Sequence, residues 1–80
     1  MNTQEQIRAF VTSNFYVADP GDLADDASLL DRGIIDSTGV LEIIIFIEDT
    51  FDIKVEDKEM LPDNLDSIER IANFVARKRG

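Results

Sequence analysis

Residues 37–51, STGVLEIIIFIEDTF, decide the fold of this chain, because their conformation determines whether it contains a sheet. The run LEIIIFI is rich in β-branched residues, so it would also suit a buried strand. About fifteen residues separate Gly33 from a turn at Asp52, however, and strands are usually about 5–6 residues long. Asp36 and Ser37 also supply N-cap chemistry at the start of the stretch. Because no second strand is available to pair with it, we predict a helix over residues 37–51.

One side of this predicted helix is suited to the core. At 100° per residue, Ile43, Ile47 and Phe51 share a side, and Val40 and Ile44 lie next to them. Apolar residues at this spacing indicate a helix that packs against neighbouring elements along one stripe. We therefore expect these five residues to face the interior.

The opposite side of the same helix combines large apolar residues with acids. Leu41 and Ile45 project there, away from the predicted core. Exposed apolar residues inside a charged rim suit transient protein docking, because apolar contact gives affinity and the charges orient the partner. The alternative is that Leu41 and Ile45 lie under a long loop and belong to the core. The predicted docking surface consists of Thr38, Leu41, Glu42, Ile45, Glu48 and Asp49.

Two further segments have helical periodicity. The first is predicted to begin at Thr3, with Gln6 as its capping-box partner, and to end near Tyr16. The last is predicted to begin at Asp66, with Glu69 in the same capping role. Their apolar stripes are Ile7, Phe10, Val11 and Phe15 in the first segment, and Ile68, Ile71, Ala72 and Val75 in the last.

The connections complete the predicted architecture. A long loop covers residues 17–36, and a shorter connection over residues 52–66 has room for one helical turn near residues 63–65. The sequence thus predicts one all-α domain over residues 1–80, a small four-helix bundle with three main helices, one short helix and a long loop between the first two. The expected inward residues are Ala27, Leu29, Leu30, Ile34 and Ile35 in the loop, and Val55, Leu61 and Leu65 in the connection.

Composition excludes many functions. The chain has no Cys and no His, which removes thiol nucleophiles, Ser-His-Asp triads and ordinary zinc sites. No pair of carboxylates stands out as an acid–base couple, so we predict no catalytic residue and no enzyme activity. The net charge is −9, and fifteen of the seventeen acids lie within residues 19–66 against three basic residues. This charge repels nucleic acids and favours protein partners with basic surfaces.

A calcium site was tested against the acidic cluster near residue 22. Placing Asp22, Ala24 and Asp26 at EF-hand positions 1, 3 and 5 puts Ala27 where glycine belongs and Gly33 where the last glutamate belongs. The EF-hand pattern therefore fails, and we predict no metal site. The N-terminal residues contain no signal-like apolar segment and no apolar run could span a membrane, so we expect a cytoplasmic protein. We also expect it to be a monomer.

Residues 25–55, DDASLLDRGIIDSTGVLEIIIFIEDTFDIKV, resemble the acyl and peptidyl carrier protein family, and LDSIERIANFV at residues 65–75 also fits it. This resemblance implies that Ser37 receives 4′-phosphopantetheine through a phosphodiester. Asp36 matches the acidic neighbour that helps the phosphopantetheinyl transferase recognise the serine. Cargo would then be held as a thioester and delivered among a loading ligase or synthase and downstream acyl-processing enzymes, as in fatty-acid, polyketide or nonribosomal biosynthesis.

Two features differ from many fatty-acid carriers. Those proteins often have leucine after the modified serine, where this chain has Thr38. They also commonly have one residue between the loop glycine and the aspartate, whereas Ile34 and Ile35 both separate Gly33 from Asp36. This spacing is more similar to that of D-alanyl, peptidyl and other discrete carriers, which favours a carrier loaded by an adenylating ligase with an acyl or aminoacyl group.

A different class of function explains the charge equally well. A cofactor-free helical module that docks onto one basic protein would need the same acids and the same apolar side. In that hypothesis Ser37 is an ordinary N-cap serine. Only the surroundings of Ser37 separate the two functions at this stage.

Overall fold

The computed structural model describes residues 2–79, and within them the secondary structure is helical. The four helices and the long loop confirm the predicted all-α bundle, and no strand occurs among the described residues. Two short 3₁₀ turns, at Pro20–Asp22 and Asp57–Glu59, interrupt the connections. The helices are α1 at Thr3–Asn14, α2 at Ser37–Phe51, α3 at Pro62–Leu65 and α4 at Ile68–Arg79.

The core lies between the inner sides of the helices, and α4 packs against α1, α2 and α3. On α2 the predicted inner residues Ile43, Ile44, Ile47 and Phe51 are buried, while Val40 is half-buried. Within residues 2–79, no helix combines the length and apolar character that crossing a bilayer requires. The other buried apolar residues are Ile7, Val11, Leu23, Leu29, Ile35, Val55, Leu65, Ile68, Ile71, Phe74 and Val75.

The ends of α1 differ from the prediction. The N-cap is Asn2 and not Thr3, because the Asn2 side chain accepts a hydrogen bond from the Glu5 backbone N–H at 2.8 Å. The helix ends at Asn14, and Tyr16 lies beyond it with 85% of its surface exposed. A capping-box pattern alone does not distinguish two adjacent capping residues, so the predicted start of the helix at Thr3 is correct while the predicted cap is wrong by one position.

The predicted start of α4 at Asp66 is also wrong. The Ser67 hydroxyl accepts a hydrogen bond from the Arg70 backbone N–H at 3.0 Å and thus caps the helix. The Asp66 carboxylate instead accepts hydrogen bonds from the Ser28 hydroxyl at 2.6 Å and the Leu30 backbone N–H at 2.9 Å. We call this pair of bonds the Asp66 clamp; it fastens the long loop to the junction of α3 and α4.

The predictions for the long loop and for the connection are correct for the most buried positions and wrong for one leucine in each. Leu29 and Ile35 are buried as expected, and Leu23, which was not predicted, is buried with them. Leu30 and Leu61 were expected to face inward but are 37% and 50% exposed. Both line a surface groove, described below, which explains why apolar residues occupy these positions.

The C-terminal end of α2 adjoins basic residues. α2 ends at Asp52, whose φ of 55° is left-handed. Lys54, Lys78 and Arg79 share a shallow hollow with Phe51 there. Lys78 also donates a hydrogen bond to the Glu59 carboxylate at 2.9 Å, and this bond, together with one from the Glu56 backbone N–H, lowers the pKa of Glu59 below its usual value. Basic residues here suit the negative end of the α4 dipole.

Candidate functional site

Ser37 is the first residue of α2, and Asp36 caps the helix in its place. The Asp36 backbone is extended, and its carboxylate accepts a hydrogen bond from the Gly39 backbone N–H at 2.9 Å. The Asp36 carbonyl accepts a second bond, from the Val40 N–H at 3.0 Å. The alternative that Ser37 is the N-cap serine is therefore wrong, because Asp36 already performs that role.

The Ser37 side chain is exposed and free. Its hydroxyl makes no hydrogen bond within residues 2–79, whereas the hydroxyls of Ser28 and Ser67 are both engaged. The first backbone N–H groups of an α-helix carry partial positive charge and stabilise an anion. This position can therefore hold a group attached through a phosphate without losing any contact of the fold.

Gly39 fixes the backbone that precedes Ser37. A Cβ atom at this position would lie 3.0 Å from the Ile35 Cβ and 3.1 Å from a ring carbon of Phe15. The missing side chain lets Ile35 and Phe15 pack directly on the first turn of α2. Since Ile35 is only two residues before Ser37, this packing positions the serine.

An apolar groove of about 270 Å³ lies beside the serine. Leu30 belongs to the long loop held by the Asp66 clamp, so that clamp fixes one wall of the groove. The groove can shelter a short flexible chain extending from Ser37. We call it the Ser37 groove; it is lined by Leu30, Ser37, Val40, Met60, Leu61, Pro62, Leu65 and Asp66.

Most residues of the predicted docking surface are exposed. Leu41 and Ile45 are 54% and 66% exposed, so the alternative that the loop covers them is wrong. Thr38, Glu42 and Asp49 are exposed around them.

Glu48 is the exception, because it is half-buried. Its carboxylate accepts a hydrogen bond from the Val55 backbone N–H at 2.9 Å. This bond ties α2 to the connection that follows it, so Glu48 supports the fold at the edge of the predicted docking surface.

Two residues that position the site were missed at the level of sequence. The clamp formed by Asp66 joins positions more than 35 residues apart, so no local pattern indicates it. At the level of sequence, Gly39 is only a residue of low helix propensity in the first turn of the predicted helix. A glycine two residues after Ser37, inside a predicted helix, was the available signal, because such a residue often marks a close approach of another segment.

Comparison with known proteins gives a consistent set of relatives. No protein-family model matches the chain. Curated relatives include the D-alanyl carrier proteins of Streptococcus sanguinis and Streptococcus thermophilus, each 30% identical over 69 residues, which is 86% of this chain and 86% of the relative. The D-alanyl carrier protein of Streptococcus pyogenes serotype M5 is 38% identical over 50 residues, which is 62% of this chain and 63% of the relative.

Proposed function

The chain belongs to the acyl carrier protein family, and we propose that it holds an acyl or aminoacyl group as a thioester on 4′-phosphopantetheine attached to Ser37. It is a carrier protein and not an enzyme. Its task in this proposal is to present the cargo to partner enzymes, converting separate encounters into tethered ones.

The observation that carries the proposal is that Asp36, and not Ser37, caps the helix. Asp36 caps α2, which leaves the Ser37 hydroxyl exposed at the first turn. A phosphodiester formed there would lie at the positive end of a fifteen-residue helix. The exposed Asp36 also offers an acidic neighbour for the transferase to recognise.

The residues around Ser37 fit the prosthetic group. Leu30, Val40 and Leu61 give the Ser37 groove an apolar lining that suits a flexible arm. When attached, phosphopantetheine supplies a thiol that holds cargo as a thioester. The chain's own residues hold the phosphate end at Ser37 and keep the first turn of α2 in place through the packing of Gly39.

A small aminoacyl group is the first cargo to test. The relatives are named for D-alanine, and the two residues between Gly33 and Asp36 are similar to the spacing in such carriers. The volume of the Ser37 groove, about 270 Å³, lies just below the usual range for clefts that bury drug-sized ligands. Both features support a short cargo loaded by an adenylating ligase.

Partner enzymes would dock on α2. Leu41 and Ile45 offer apolar contact, and Glu42 and Asp49 offer charge for a basic surface. The partners in this proposal are a phosphopantetheinyl transferase, a loading ligase or synthase, and the enzymes that accept the cargo.

Intact-mass spectrometry tests the attachment. The chain is incubated with coenzyme A and a broad-specificity phosphopantetheinyl transferase, and we expect a mass gain of one phosphopantetheine. Ser37→Ala should abolish the gain, because it removes the hydroxyl that directly follows Asp36 at the start of α2. Ser13→Ala, which changes an exposed serine of α1, should leave the gain intact.

Circular dichroism of each variant shows whether the helices are retained. If folded wild-type chain gains no mass with several transferases, the carrier proposal fails for Ser37 and the cofactor-free docking module replaces it. If Ser37→Ala still gains mass, another hydroxyl is the attachment site. Loading of the modified protein with D-alanine, compared with a medium-chain fatty acid, then tests the cargo.

A further inference from the structure

A second groove lies between α1 and α2, away from Ser37. Its floor is formed by Phe10 of α1 and Phe46 of α2, whose rings stack with centroids 4.1 Å apart and planes 15° from parallel. Both rings are half-buried, so part of their surface remains open. The α1–α2 groove has a volume of about 350 Å³ and is lined by Phe10, Asn14, Glu42, Ile45, Phe46, Asp49 and Thr50.

Neighbouring rings hold this floor in place. Phe15 packs edge-on against Phe10 with centroids 6.0 Å apart, and Phe51 packs edge-on against Phe46 at the same distance. Edge-to-face and offset-stacked pairs are the favoured arrangements of aromatic rings. The floor is thus preformed, and a partner would not have to order it on binding.

The rim of the groove is acidic and without a counter-charge. Glu42 and Asp49 are seven residues apart on α2, so they lie on the same side of the helix about 10 Å apart along its axis. Neither takes part in an ion pair within residues 2–79, whereas Asp25 pairs with Arg8 and Glu59 with Lys78. α2 itself contains no lysine or arginine.

The groove combines three properties that select one kind of occupant. Its volume is at the small end for ligand clefts, so it suits a single long side chain. Phe10, Phe46 and the 66%-exposed Ile45 offer contact to an apolar stem. Glu42 and Asp49 offer charge to a cationic head group.

We propose that the α1–α2 groove receives an arginine side chain from a partner protein. A guanidinium packs its flat, weakly hydrated surface against apolar side chains and pairs with a carboxylate through its planar fork, which a lysine ammonium does less well. The groove adjoins the docking surface through Glu42, Ile45 and Asp49, so it extends the contact from α2 onto α1. The arginine would fix the position of the partner along α2, in addition to the apolar contact made by Leu41.

Other occupants fit less well. A second copy of this chain carries the same charge of −9, and like charges repel on approach. An aliphatic chain would leave Glu42 and Asp49 beside it without a counter-charge. The inference rests on the proposed function only in taking the partner to be a protein, and it can be tested on the unmodified chain.

The test is a nuclear magnetic resonance titration of ¹⁵N-labelled unmodified chain. The probe is an alanine-based helical peptide with one central leucine–arginine pair, and its analogue has citrulline, the neutral isostere, in place of arginine. We expect saturable shifts confined to amides around Phe10, Phe46 and Asp49. The citrulline peptide should bind about fivefold more weakly or worse, because it loses the charge that pairs with Glu42 and Asp49.

Charge variants give the matched control. Glu42→Gln and Asp49→Asn should each weaken the arginine peptide about two- to fivefold. Asp31→Asn removes the same charge from the exposed loop and should leave the affinity unchanged. Since no transferase is involved, failure here is distinct from failure of Ser37 modification.

Several outcomes would overturn the inference. Equal binding of the citrulline peptide would show that charge plays no part. Shifts centred on the Ser37 groove, or equal weakening by Asp31→Asn, would indicate a different or unspecific site. Shifts that grow with protein concentration before any peptide is added would identify a second copy of the chain as the occupant.

Discussion

At the scale of single residues, three residues at the start of α2 have three different roles, which are capping, proposed attachment and packing. Asp36 caps the helix, Ser37 stays free, and Gly39 admits Ile35 and Phe15 to the first turn. The sequence predicted the roles of Asp36 and Ser37, because N-cap chemistry is local. It did not predict the role of Gly39, because the atoms that crowd this glycine come partly from α1.

Gly39→Ala tests that packing. Alanine improves helix propensity by about 1 kcal/mol, but its Cβ would meet the Cβ of Ile35, which moves only with the backbone. Overpacking of this kind costs about 1–3 kcal/mol. We expect a net loss of about 1 kcal/mol and a fall in Tm of about 4–8 °C in thermal unfolding, together with slower modification of Ser37.

Gly21→Ala is the matched control for this substitution. Its Cβ would make only an ordinary contact, 3.5 Å from an Asp19 oxygen, so its Tm should stay the same or rise slightly. A Gly39→Ala protein as stable as the parent, and modified as fast, would show that the close packing at Gly39 has no role in placing Ser37.

At the scale of elements, periodicity predicted the helices well and their ends less well. The apolar stripe of α2 predicted which side of the helix faces the core, because residues on one side of a helix recur with each helical turn. The cap of α1 and the start of α4 were misplaced, because adjacent polar residues compete to be the cap. At α4 the outcome depends on Ser28 and Leu30, which draw the Asp66 carboxylate away to the long loop.

Asp66→Ala measures what this clamp contributes. The substitution leaves the Ser28 hydroxyl and the Leu30 N–H without their acceptor, and hydrogen bonds to charged groups contribute about 1.5–3 kcal/mol. We expect a loss of about 2 kcal/mol in the free energy of unfolding, measured with urea. Asp63→Ala, which removes an exposed and loosely paired carboxylate, should cost less than about 1 kcal/mol.

Comparable losses in these two variants would mean that the clamp adds no stability beyond that of a surface carboxylate. A larger loss for Asp66→Ala alone would establish that the wall of the Ser37 groove is fastened from α3 and α4. The exposed leucines Leu30 and Leu61 follow from the same arrangement, which sequence patterns could not reveal because the groove exists only after the loop is fastened.

At the scale of the whole molecule, the excess of acidic over basic residues lowers the stability of the folded state. Within the part of the chain described by the structure, ion pairs join Asp25, Glu56, Glu59 and Asp63 to basic residues, while α2 carries acids alone. Like charges crowded on a small domain destabilise the folded state. The sequence predicted this imbalance directly, since counting charges requires no knowledge of the fold.

Salt should therefore stabilise the protein. Raising sodium chloride, or adding millimolar magnesium, screens the repulsion and should raise Tm in thermal unfolding. A variant with Asp31→Asn, Glu42→Gln and Asp49→Asn should melt higher at low salt and gain less from added salt. An unchanged or lower Tm of the wild-type chain in salt would mean that its acids are already balanced by favourable pairs.

The basic residues around the C-terminal end of α2 give this acidic molecule a permanent electric dipole. Lys54, Lys78 and Arg79 gather at Phe51, and Ser37 lies at the other end of the helix, about 21 Å away along its axis. A positively charged enzyme surface would attract the end at Phe51, where basic residues offset the acids, less strongly than the rest of the molecule, which amounts to a torque. The rotation of the molecule during its approach to the enzyme would then be biased, so that the end bearing Ser37 would reach the enzyme first.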